Sequence, residues 1–173
     1  PHPMQRRQAT REYFCQSRCD RLFYLILDRI PRRQALGLLT IGNADLLNQA
    51  VARGCGVYVT LAHHGAQHVI GLLMALHGFK IAGVRDRREG ALRRYVQGRF
   101  DRLYPEFART RVLYAESFPR DIYRCLQDGY LLGSALDVSR IRDPNQRYEE
   151  TTLFGERRYF PTGPLRIALR CRS

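Results

Sequence analysis

The chain has 173 residues, 45% of them hydrophobic, which allows one domain with a core of its own and argues against a chain dominated by disorder. A formal net charge of +13, nearly all from arginine because Lys80 is the single lysine, favours polyanionic partners: nucleic acid, an anionic lipid surface or phosphorylated small molecules. Five scattered cysteines without a CxxC pair argue against a disulfide framework or a zinc module and suit free thiols in a reducing compartment. A GC-rich coding sequence would give the same arginine excess, so charge narrows the partner without naming it.

In chain order, residues 9–30 place Phe14, Leu22, Leu25 and Ile26 at helical spacing, and Pro31 ends that run. A second helix is expected from Ala44 to Arg53, stopped by Gly54. Residues 56–62 are a short apolar run of the buried-strand kind, broken at His63-His64-Gly65. Helical periodicity then continues to about His77. The most apolar stretch, Val69 to Val84, is interrupted by His77 and Lys80 and is too short and polar to span a bilayer. Strand 79–84, an arginine-rich helix 90–104, strand 111–115, helix 119–127 and strand 130–136 follow. Residues 139–150 read as a loop, and Pro161-Thr162-Gly163-Pro164 opens a last helix expected to run through Ser173. Alternating strands and helices predict a single α/β domain over 1–173, with a mostly parallel central sheet covered by helices on both faces. In such sheets ligands gather at the carboxyl ends of strands, here His63 and Asp137.

His63, His64 and His68 cluster at one strand-to-helix turn. A histidine there can act as a general base, with backbone amides of the following helix start facing developing negative charge. Hydrogen-bonded turn histidines explain the cluster as simply. A metal reading rests on the i,i+4 pair His64 and His68, but no glutamate stands between them and no third ligand is evident.

The segments "NADLLNQAVARGCGVYVTLAHHG", "FKIAGVRDRREGALRRY", "DIYRCLQDGYLLGSALDVS" and "TLFGERRYFPTGPLRIALR", in that order and spacing, resemble the lipid A biosynthesis acyltransferases of the lysophospholipid acyltransferase-like superfamily. The resemblance covers about four fifths of the chain, from around residue 36 onward. It implies a histidine base and an acid five positions later, attacking an acyl thioester through an acceptor hydroxyl. Aligned on Gly65, the base is His63 and the acid's position holds His68. A neutral imidazole at 68 can orient His63 but brings no negative charge, so another carboxylate would have to reach in, and Asp137 is one candidate.

The resemblance also implies substrate-facing roles for Arg85 and Asp137, a second arginine at Arg99 or Arg102, and phosphate-facing amides at Thr162 and Gly163. Simpler uses are a solvated helix face for the arginines and capping for Asp137 and Thr162. The activity implied is fatty acyl transfer from acyl carrier protein or coenzyme A to a hydroxyl of a lipid A precursor or related glycolipid. No cofactor and no metal is called for. The setting implied is an anionic membrane surface, the cytoplasmic face of a bacterial inner membrane. Relative to that family the chain is expected to be incomplete at both ends. A silent glycolipid-binding relative and a basic nucleic-acid-binding domain stand as alternatives.

Overall fold

The computed structural model describes residues 3–85, 91–114, 119–135, 137 and 147–172, without the side chains of 68, 85, 92 and 93. Four strands, β1 (Val57–Leu61), β2 (Ile81–Arg85), β3 (Arg111–Tyr114) and β4 (Leu131–Ala135), form an all-parallel sheet in the order β1-β4-β2-β3. Parallel neighbours cannot be joined by tight turns, so a crossover helix must follow each strand. The crossovers are α4 (Gln67–Leu76), α5 (Ala91–Leu103) and α6 (Pro119–Gln127). Ahead of the sheet lie α1 (Pro3–Ile26), a single 3-10 turn at Leu27–Arg29, α2 (Arg32–Leu36) and α3 (Ala44–Ala52).

Side chains alternate across a strand, and β2 shows that both faces are covered. Ile81 packs against a core made by α4, α5, the 3-10 turn at Leu27–Arg29 and a second one at Phe107–Arg109, with Phe100 and Phe107 wholly buried at its centre. The next residue, Ala82, belongs to a second core with Leu132 of β4, Cys125 and Leu126 of α6, and Ala168 of α7 (Gly163–Cys171). The chain is therefore an α/β protein with helices on both sheet faces. In the first core the rings of Phe100 and Phe107 meet edge-to-face at 5.9 Å, and Tyr24 meets Phe100 at 5.6 Å. Each buried aromatic ring adds about 1.5–3 kcal/mol by leaving water.

One position sets how closely α6 approaches β1. The Gly56 amide donates to the Leu126 carbonyl at 2.6 Å. A Cβ at 56 would lie 2.6 Å from the carbonyl oxygens of both Leu126 and Tyr130. Only glycine admits that contact, and it fixes the height at which β1 joins β4.

The expected strands and helices lie within a few residues of their places, with three differences. The first is α2, a five-residue helix after Pro31 that the sequence did not suggest. The second is an antiparallel hairpin, β5 (Tyr148–Leu153) and β6 (Glu156–Pro161), which starts inside the expected loop. All six β5 residues are exposed, so no apolar alternation betrays the strand. The third difference is that α7 does not run through residue 173. It ends at Cys171, where Arg172 turns left-handed at φ 58° and its amide closes on Ala168 and Leu169.

Candidate active site at the strand ends

β1 and β4 are neighbours, and their ladder pairs Leu61 with Ala135. Two residues beyond that pair stand His63 and Asp137, so the parallel register carries both to the same carboxyl edge of the sheet. Gly65, at φ +59°, then turns the chain towards α4. Any other L residue would be strained there.

The two side chains are joined. His63 Nδ1 lies 2.7 Å from Asp137 Oδ1, and the His63 backbone amide donates to Asp137 Oδ2 at 2.6 Å. Both carboxylate oxygens are thus committed to one histidine. The side chains retain 46% and 38% exposure, so the ring's far edge is open to a substrate. Burial pushes the Asp137 carboxyl up, but the backbone and ring hydrogen bonds from His63, with the imidazole's charge, outweigh it. The net effect holds Asp137 below its ordinary value. An ionised carboxylate can only accept, so the Nδ1 proton belongs to the ring, and in the neutral imidazole Nε2 is the acceptor.

An open cleft of about 300 Å³ adjoins the pair, lined by Asp137 and by Leu153, Arg158 and Phe160 of the hairpin. Its wall is therefore mostly apolar with one guanidinium, which also pairs with Glu156. Sequence reading missed all three hairpin residues. The signal available was Phe154-Gly155 between β-branched and aromatic residues: both take positive φ, 54° and 80°, as a two-residue hairpin turn requires.

The other candidates lie on other elements. His68 is the second residue of α4, with its side chain outside the described atoms. Arg85 ends β2 opposite Tyr114, again without a described side chain. Arg99 pairs instead with Asp28, whose side chain is only 3% exposed, so it ties α5 to the 3-10 turn after α1. Thr162 occupies the N-cap of α7 but makes no side-chain cap bond, and its Oγ1 is buried without a partner. Gly163 opens the helix and Pro164 follows, so the first-turn amides of Gly163 and Leu165 have no intrahelical acceptor. Near the histidines, Ala66 at the N-cap of α4 has no side chain able to satisfy the first amides of that helix.

Compared with models of known protein families the chain matches none, and compared with curated proteins it likewise matches none.

Proposed function

We propose that the chain is an acyltransferase that moves a fatty acyl group from an acyl carrier protein or coenzyme A thioester to a hydroxyl of a lipid A precursor or related glycolipid, working at the cytoplasmic face of a bacterial inner membrane. The observation that carries this reading is the His63–Asp137 pair at adjacent strand ends beside a largely apolar cleft. It supplies the charged partner that His68 lacks, which was the weakness of the resemblance.

The chemistry follows from the pair's geometry. Asp137 fixes the ring with Nδ1–H towards it, so Nε2 takes the proton from the acceptor hydroxyl as its oxygen attacks the thioester carbonyl. The imidazolium that forms is stabilised by the ionised Asp137. The carbonyl becomes a tetrahedral oxyanion, for which the first-turn amides of α4, left without a side-chain cap, are available donors. Collapse breaks the carbon–sulfur bond, and the departing thiolate takes the proton back from Nε2. An ester and a free thiol result, with no cofactor consumed. Leu153 and Phe160 suit an acyl chain, and Arg158 suits a phosphate on donor or acceptor.

The test is acyl transfer from labelled acyl carrier protein to a lipid A precursor in micelles. Wild type should transfer, and His63→Ala, with its circular dichroism unchanged, should not. Glycolipid binding without transfer by wild type would replace the proposal with the silent-relative reading.

A further inference from the structure

The outer face of α1 carries a pattern that packing within the domain does not explain. No residue of this 24-residue helix is buried. At about 100° per residue, Arg7, Arg11, Arg18 and Arg21 fall within an arc of about 80°, with Phe14 inside it and Leu22 just beyond its edge. Phe23 and Tyr24, the α1 residues that pack against the core, point about 160° and 100° away from the centre of that arc. The arginines therefore face away from the domain. Glu12 and Asp20 sit about 140° from the same centre. Each accepts a hydrogen bond at 3.0 Å from a glutamine one turn earlier, Gln8 and Gln16 respectively. Charge is segregated around the helix: four of the five arginines face outward, Arg6 lies about 100° from their centre, and the carboxylates are on the far side.

Large apolar side chains share the cationic stripe: Phe14 and Leu25 lie inside it, and Met4 and Leu22 just beyond its edge. Phe14 is 56% and Leu22 58% exposed. A purely polyanionic partner rewards the arginines but gives Leu22 no apolar surroundings. A bilayer interface accommodates both, because guanidinium groups reach lipid phosphates while neighbouring apolar side chains enter the acyl boundary.

We propose that α1 is an interfacial helix whose outer stripe docks on an anionic phospholipid surface, Arg7, Arg11, Arg18 and Arg21 on lipid phosphates, Phe14 and Leu22 below them. Docking through α1 is independent of acyl transfer at His63, and either property can fail without the other.

Flotation of the full chain with vesicles tests it, using phosphatidylcholine alone or mixed with phosphatidylglycerol, at low and high salt. Wild type should float with the mixed vesicles at low salt and stay behind with phosphatidylcholine. Partitioning should fall about fivefold for each arginine replaced, so the variant Arg7→Gln, Arg11→Gln, Arg18→Gln, Arg21→Gln should no longer float. Phe14→Ser with Leu22→Ser should weaken flotation even at low salt, with helicity checked by circular dichroism. Flotation of the four-glutamine variant at the wild-type level overturns docking through α1. So does equal capture by both vesicle types, or binding to arbitrary duplex DNA with no capture by vesicles.

Discussion

Asp137 holds His63 through backbone and ring together, so it sets the position of the turn as well as the tautomer of the imidazole. Replacing it by asparagine keeps the shape but removes the charge and permits the wrong tautomer. In the serine-protease template that change costs about 10⁴ in rate. Asp137→Asn should therefore cut acyl transfer by about that factor, with His68→Ala costing far less in the same assay. Equal losses would return the orienting role to His68. The pH dependence has a definite sign. Asp137 is held below the unfolded carboxylate value of about 3.9, so its contribution to stability is complete above that pH and is lost as pH falls through the lower folded value. Denaturant midpoints of wild type and Asp137→Asn should differ by a constant amount above about pH 4 and converge in stronger acid. Arg99 has a structural role, because removing it strands the nearly buried Asp28 carboxylate. Arg99→Ala should lose about 3 kcal/mol in urea unfolding, the lower end for breaking such a pair, since the arginine itself is partly wet. Burial pushes the Cys125 thiol up to about 11, with Arg111 opposing the shift. In the native protein at pH 8, a thiol reagent should modify exposed Cys15, Cys19 and Cys55 and leave Cys125 until the chain unfolds.

At the scale of elements, Gly56 is the narrowest joint in the sheet. Gly56→Ala would drive a methyl group into two backbone carbonyls that cannot move independently of α6 and β4. A loss of about 1–3 kcal/mol is expected from overpacking of this kind, roughly 2–12 °C in melting temperature for a domain of this size. Elements with a strong apolar signal were legible in advance: the apolar run 56–62 gave β1, although its residues are only half-buried or exposed, and the helical period up to His77 gave α4. The β5–β6 hairpin was not, because a strand wet on both faces has no hydrophobic period to read. The dyad was legible only in part. His63 and Asp137 were each visible as strand-end residues, but they are 74 positions apart. Their meeting depends on β4 inserting beside β1, a sheet order that periodicity does not specify. Arg99 looked like a site residue for the complementary reason: its partner Asp28 lies on a turn that sequence spacing cannot bring to α5.

For the whole molecule, the formal charge of +13 has an uneven anatomy. α1 turns four of its five arginines outward, whereas Arg32, Arg99 and Arg111 pair with Glu106, Asp28 and Asp128 within the domain. No helix among the described residues is long and apolar enough to cross a membrane. Any hold on lipid through the described helices would therefore be interfacial and weakened by salt. The cleft beside Asp137 depends on the hairpin, which is bonded strand to strand and exposed along all of β5. Its turn places Phe154, 97% exposed, in the left-handed region that a bulky side chain adopts at a cost. Backbone amides in such a unit open at lower free energy than those of β2 or β4, which lie inside the sheet. In hydrogen exchange, residues 148–161 should become deuterated while the parallel sheet is still protected. Opening of that kind would take away one wall of the cleft on a timescale of its own, and on the proposed acyl-transfer reading it would let a long chain enter and leave without any breathing of the core.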